Sequence, residues 1–404
     1  MTHGPQIHLA VALDGAGWHP AAWRAEGARP GELFTAGYWA DLVAEAEFGA
    51  LDFLTFEDLL GPQRAALARP DDRTDQVRGS LDAVLLAARV APLSSHIGLV
   101  PTVNVTHTEP FHLGIGIATL DYASRGRAGF RPQIAARAED AAHFGRRTTP
   151  RLSEEEARDP ELIARRLRPL FAEAEDAVEV VRRLWDSWED DAEIRDAATG
   201  RFIDRDRLHH IDFEGPHFSV RGPSITPRPP QGQPPVVSLA HASVPYGFAA
   251  RAADVVCFTP HDAEGTGAVL RQIDAAVERE GRDVLARPLL RFAELLVLLD
   301  DRPGAAADRK ARLDGLAGAE LRSDAEVFTG TPAQLADLLL QRHALGLDGF
   351  RLRPGVLPHD LSAITRGLVP ELRRRGAFRD GYQEGTLRGH LGLRRPESRY
   401  AGAR

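Results

Sequence analysis

The stretch IGLVPTVNVTHTEPFHLGIGIATLDYASRGRAGFRP, residues 97–132, reads as a complete strand–helix–strand unit. Its first nine residues are mostly apolar, with valines clustered, as expected of a strand buried on both faces. EPFHLGIGIATLDYAS, residues 109–124, continues at helical spacing with a proline near its start. A Gly-containing turn follows, and RAGF, residues 127–130, is a short strand expected to stop against Pro132. Two such strands joined through a helix run in the same direction and belong to a parallel sheet. Arg131 therefore falls at the carboxyl end of a strand, which raises the question of what a charged side chain does there.

The alternation extends both ways. Upstream, IHLAVALD (7–14) and LDFLTFED (51–58) read as strands, GYWADLVAEAEFGA (37–50) and SLDAVLLAARVA (80–91) as helices. Downstream, residues 154–211 are charged and read as helical, and residues 208–235 are rich in Pro, Gly and His. Strands then recur in PVVSLA (235–240), DVVCF (254–258), LLRFAELLVLL (289–299) and LDGFRLRP (347–354). Helices lie between them, one of them opening with Thr331 as N-cap and Pro332 in its first turn. About eight strand–helix units in one chain predict an α/β protein, a (β/α)8 TIM barrel with insertions. An open doubly wound sheet is the alternative. No G-x-G-x-x-G follows the first strand, which weighs against a Rossmann dinucleotide site.

Composition narrows the function. The chain has 404 residues and a net charge of -8, with acidic and basic residues interspersed, so no nucleic-acid footprint is visible. No apolar run approaches the about 20 residues of a membrane span, and no signal peptide is apparent, so no membrane partner and a cytoplasmic location are expected. Cys257 is the only cysteine, which excludes an internal disulfide and a multi-cysteine metal site. Lys310 is the only lysine and sits in a charged stretch expected to be an exposed helix, so Schiff-base chemistry is not expected.

In a barrel of this kind, chemistry sits at the carboxyl ends of the strands. The candidates there are Trp18 and His19, Glu57 and Asp58, Thr102, Asn104 and His107, Arg131 and His143, His241 and Ser243, and Arg351 and Arg353. Each has a plainer reading. Asp58 can cap the next helix, His107 can be a solvated or hydrogen-bonded imidazole, and Arg131 can pair with Glu57 or Asp58. His209 and His210 are adjacent, face opposite ways on a strand, and do not suit one metal. A mouth with arginine, aromatic and polar groups but no nucleophile or metal cluster suits a cofactor that carries its own reactivity. Arg131, Arg351 and Arg353 give a weak hint of an anionic group.

Several blocks are similar to a known family: GALDFLTFEDLL (49–60), residues 95–130, VVRRLWDSWEDDA (180–192), residues 210–234, and the long run from GTPAQL to RRPESRY (330–400). They resemble the bacterial luciferase-like flavin-dependent monooxygenases, in the branch of nitrilotriacetate and dibenzothiophene-sulfone monooxygenases. The resemblance implies one barrel domain over 1–404, with an insertion around 146–235 and a C-terminal extension over 376–404, usually as a homodimer. It implies reduced FMN supplied in trans by a flavin reductase, which with dioxygen oxygenates a small-molecule substrate. Asp58, Thr102 and Asn104 match positions lining the flavin ring, and Arg131, His241 and Ser243 are further cofactor candidates. His107 and Arg131 stand as catalytic candidates, and no metal is expected.

The departures gather where the family holds the flavin phosphate. A His-x-x-Arg-Tyr pattern is replaced by Leu167, Leu170 and Phe171. A Ser-x-x-Gly-Arg loop is replaced by Ala242, Pro245 and Tyr246, and proline removes both a donor and the backbone freedom of glycine. His241 and Ser243 could form a rearranged phosphate loop, with Arg165, Arg166 and Arg168 moving in from the side. Two alternatives therefore remain: a deazaflavin-dependent oxidoreductase of the same superfamily, or a flavin-free, non-catalytic binding barrel.

Overall fold

A computed structural model describes residues 6–62, 73–153 and 155–401. Eight parallel strands carry the fold: β1 His8–Leu13, β2 Phe53–Phe56, β3 Gly98–Asn104, β4 Arg131–Gln133, β5 Val237–Leu239, β6 Val255–Phe258, β7 Leu290–Leu299 and β8 Gly349–Pro354. They pair in the order β4, β3, β2, β1, β8, β7, β6, β5. A parallel bridge between Phe130 and Val236 closes the ring at the seam between β4 and β5. A further strand, Glu326–Gly330, pairs with the far half of β7. The chain is a (β/α)8 barrel, as its alternation predicts.

Around the ring lie α1 Ala36–Phe48, α2 Ala83–Val90, α3 Pro110–Ala123, α4 Ala138–Phe144, α5 Pro160–Asp186 and α6 Ser243–Ala252. Thr331 caps its helix as expected, accepting from the Gln334 backbone in a reciprocal capping box. Two expectations are corrected. The strand after α3 does not stop at Pro132 but passes through it, with Ala128 and Phe130 making only single bridges. Proline is tolerated because β4 meets β5 only at Phe130, so no ladder on that side needs its missing donor. The charged stretch 154–211 is not helical throughout: α5 ends at Asp186, and Glu193–Asp196 pairs antiparallel with Arg201–Ile203. Helix α5 packs on the ring, Trp185 standing edge-on to Phe130 and donating to the Gly114 carbonyl at 2.9 Å.

Alternation along each strand sends one set of side chains into the lumen. At the lower, amino-terminal end the set is apolar: Ala10, Phe53, Val100, Val237, Val255 and Phe292. Leu387, Leu391 and Leu393 from the C-terminal segment pack against this layer from below and cork the barrel. Gly98 makes room for the cork, since a Cβ there would fall 2.5 Å from Leu387 Cδ1. Burial of these apolar groups contributes about 25 cal/mol per Å² removed from water.

Carboxylates brace the lower rim. Asp52 accepts from the Leu9 N–H at 2.7 Å and pairs with His8 and Arg379, both at 2.9 Å. Burial pushes its pKa up, but His8, Arg379 and the Leu9 N–H outweigh that and hold it at about 2. Asp254 is likewise held at about 2 against burial, by Arg182 and Arg388. A depressed carboxyl stabilises the fold above its unfolded pKa and loses that contribution as pH falls through the folded one. Each of these two groups is expected to contribute about 2 kcal/mol at neutral pH, lost between about pH 4 and pH 2. Denaturant melts across that window check this: Asp52→Asn should be less stable than the parent at pH 7 and converge with it near pH 2.

Candidate active site

Above the apolar layer the lumen turns polar. Arg131 of β4 donates to Glu57 at 2.5 Å and, through Nε and Nη2, to Thr102 Oγ1 at 3.0 and 2.6 Å. Glu57 also pairs with Arg351 of β8, which donates to Thr55 and reaches Glu294 of β7 at 2.6 Å. Glu294 pairs with Arg353 as well, and Arg353 continues to Asp324 at 2.6 Å. The Arg353 guanidinium also stacks over the Trp18 ring at 4.6 Å. Three arginines and three carboxylates thus alternate across the barrel. Burial opposes the charge on Glu294, but Arg351 and Arg353 outweigh it and hold its pKa below the usual carboxylate range.

Arg131 is therefore committed inside the barrel. Of the two readings, pairing with Glu57 is the one observed. Arg351 and Arg353 are equally committed, so the hint of an anion-binding trio is withdrawn. Glu294 was missed in the sequence, although a carboxylate inside LLRFAELLVLL, with every other residue apolar except Arg291, was the available signal.

One cavity of about 560 Å³ brings Asp58, Thr102 and Asn104 together at the mouth. Val84, Leu113, Ile117 and Ile134 supply apolar wall, and Leu167 closes one side. Asp58 accepts from the Leu59 N–H at 2.7 Å and from the Ala83 N–H in the first turn of α2 at 3.1 Å while facing the cavity, but the cap of that helix is Asp82, which accepts from the Leu85 N–H at 2.8 Å. Burial raises its pKa. Asn104 Oδ1 accepts from the Thr106 and His107 N–H groups at 3.2 and 3.0 Å. Its amide nitrogen bonds nothing among the described residues. Asp140, on the same wall, accepts from Arg137 at 2.8 Å through Oδ2, while Oδ1 is buried without a partner among the described residues.

The remaining candidates lie elsewhere. His107 is buried rather than solvated: it stacks on Phe144 at 4.7 Å, its Nε2 has no partner among the described residues, and burial lowers its pKa. His241 and Ser243 are exposed and do not line the cavity. His241 meets Thr259 at 3.1 Å, and Ser243 opens α6, where Ala242 offers no side-chain cap. Pro245 is buried in that first turn, and Phe171 packs at 5.5 Å from Phe248. His19 bridges Asp314 and the Ala21 N–H, each at 3.0 Å, and His209 pairs with Glu189 at 2.8 Å. Arg166 turns away to the Pro150 carbonyl at 3.0 Å. Lys310 is not the free exposed amine expected, but half-buried against Asp314 at 2.7 Å. Among the described residues no group of three or more His, Cys, Asp or Glu could hold a metal ion, and no helix is long and apolar enough to cross a membrane. Cys257 is buried in the lumen and its thiol is pushed up by that burial, which removes it as a nucleophile.

The family model for luciferase-like monooxygenases matches residues 16–309. The chain belongs to that family. Two luciferase-like relatives align over 98% of this chain and 98% of their own: nitrilotriacetate monooxygenase component A of Aminobacter aminovorans at 30% identity, and N-acetyl-S-(2-succino)cysteine monooxygenase of Bacillus subtilis (strain 168) at 29%. Among solved structures, the EDTA monooxygenase of Chelativorans sp. BNC1 superposes with a TM-score of 0.81 at 21% identity, covering 96% of this chain and 99% of that one. The barrel is thus that of a luciferase-like oxidoreductase, and the branch indicated by the sequence blocks is the right one.

Proposed function

We propose that the cavity at the ends of β2, β3 and β4 holds the ring of reduced FMN, delivered by a separate flavin reductase, and that the enzyme oxygenates a small organic substrate. One observation carries this reading: Asn104 presents an unpartnered amide to a cavity with apolar walls, beside Asp58 and Thr102. A planar heteroaromatic ring with polar edges needs that combination. When bound, reduced flavin supplies the electrons that activate dioxygen. The chain's part is to orient and to exclude water. Thr102 Oγ1 already accepts from Arg131, so its own proton is left to donate towards the cavity. Asp58, fixed by two N–H groups, can accept from a ring N–H. The ring end fits these residues; the phosphate end does not fit the family's usual grip, because Leu167, Ala242 and Pro245 offer no side-chain donor. Relatives whose names specify nitrilotriacetate and N-acetyl-S-(2-succino)cysteine suggest a polar organic substrate. A homodimer in the cytoplasm completes the reading.

The test is a fluorescence-quenching titration with oxidised FMN, anaerobically reduced FMN and a deazaflavin. Both FMN forms are expected to bind, and a reductase-coupled assay is expected to show oxygen uptake dependent on this chain. Asn104→Asp keeps the acceptor for Thr106 and His107 but loses the amide donor. It should weaken reduced FMN about tenfold, the equivalent of one hydrogen bond of about 1.5 kcal/mol. No quenching by any flavin would overturn the reading, and quenching by the deazaflavin alone would replace the carrier.

A further inference from the structure

A second cavity, of about 570 Å³, opens at the end of β1. Its walls come from the loop Asp14–Pro20, from residues 73–77 and from residues 317–322. It includes none of Asp58, Thr102 and Asn104, and no part of the flavin reading uses it. Two charged side chains in it are unaccounted for. Arg322 is exposed and has no carboxylate partner among the described residues. Asp14 continues the inward set of β1, lines this cavity and a smaller one beside Glu57, and makes no side-chain hydrogen bond among the described residues.

The lumen holds Arg131, Arg351 and Arg353, and each is matched by a carboxylate in the chain Glu57, Glu294 and Asp324. Asp14 is a fourth carboxyl with no fourth arginine. Glu57 stands next to it, and Arg131, already bound to Glu57, offsets only part of the repulsion. Tyr38 of α1 spends its hydroxyl on the Gly15 carbonyl at 2.8 Å. The other charged walls are satisfied: Arg73 with Asp75 at 2.7 Å, His19 with Asp314 at 3.0 Å and Glu320 with Lys310 at 3.6 Å. Burial, and then Glu57, raise the Asp14 carboxyl to about 7. At mildly acid pH the cavity therefore offers a neutral O–H donor and an unpaired guanidinium.

We propose that this cavity is a binding site for a small carboxylate, held by Arg322 and by a hydrogen bond donated from Asp14. Its affinity falls as pH rises, because an ionised Asp14 loses its donor and repels the ligand. With titration at about 7, the competent fraction drops from about nine-tenths at pH 6 to about one-tenth at pH 8, so the apparent affinity falls about tenfold.

The probe is succinate, titrated calorimetrically into the full chain at pH 6 and pH 8. The parent is expected to bind about tenfold more tightly at pH 6. Asp14→Asn retains an N–H donor but cannot ionise, and should bind succinate with nearly equal affinity at both pH values. Arg322→Gln, an exposed change, should weaken binding at least tenfold at pH 6, by loss of a charged hydrogen bond. Folding of each variant is checked by its far-UV spectrum and melt. Absence of succinate binding to the parent, a pH dependence unchanged in Asp14→Asn, or unchanged affinity in Arg322→Gln would each overturn the proposal. FMN titrations on the same preparations report separately on the flavin reading.

Discussion

Glu294→Gln lowers the unfolding free energy by about 3–5 kcal/mol, because it removes one member of a buried ion network and leaves its partners uncompensated. Glu294 is fully buried on β7 and serves Arg351 and Arg353 together. Neutralising it leaves three guanidinium groups facing two carboxylates inside the barrel. The loss is specific to charge balance, not to the loss of contacts. The double variant Glu294→Met, Arg351→Met removes one charge of each sign, leaving Arg131 with Glu57 and Arg353 with Asp324. It should recover most of the stability, since well-packed apolar replacements of buried pairs are often neutral. Urea melts at pH 7 on the three proteins check this. A single variant as stable as the parent would mean that the alternating charges do not hold the upper barrel together.

Ala242→Ser with Pro245→Gly tightens FMN binding by about ten- to a hundredfold and leaves riboflavin binding unchanged. The parent's α6 begins without a side-chain cap and with a proline in its first turn, so that turn presents one N–H fewer than a phosphate cradle uses. The double change restores a hydroxyl and a backbone donor at the helix start. One charge-assisted hydrogen bond contributes about 1.5–3 kcal/mol, and a net gain equivalent to one such bond, after the cost of ordering the new turn, sets the range. Glycine at 245 costs the fold about 1 kcal/mol through chain entropy, so the variant should melt slightly earlier while binding better. The FMN-to-riboflavin affinity ratio isolates the phosphate from the ring. A ratio that the substitutions leave unchanged would place the phosphate away from α6.

Much of the barrel is legible in the sequence because its strands are short apolar runs and its helices carry caps. Thr331 with Pro332 marks a helix start unambiguously. The carboxyl ends of the strands follow once the strands are placed, and this is why Glu57, Thr102, Asn104, Arg131, Arg351 and Arg353 all stand among the candidates. Position at a strand end does not say which groups satisfy one another. Glu294 lies about sixty residues from Arg351 in the chain and only one strand away in space. Without it, the three arginines leave a weak hint of an anion. Asp14 was read only as the last residue of a strand, because its lack of a partner is a property of the assembled mouth. His107 was misread for a related reason: its cover, Phe144, comes from α4, and charged flanks disguise that helix in the sequence. Pro132 was overread because a lone proline signals a strand end only where a neighbour needs its donor.

The C-terminal leucines close the lower end of the cylinder, and both cavities lie at the opposite end, where the strands finish. A change that loosens Leu387 or Leu391 therefore acts on the barrel's stability from the far side of the packed lumen, away from either ligand.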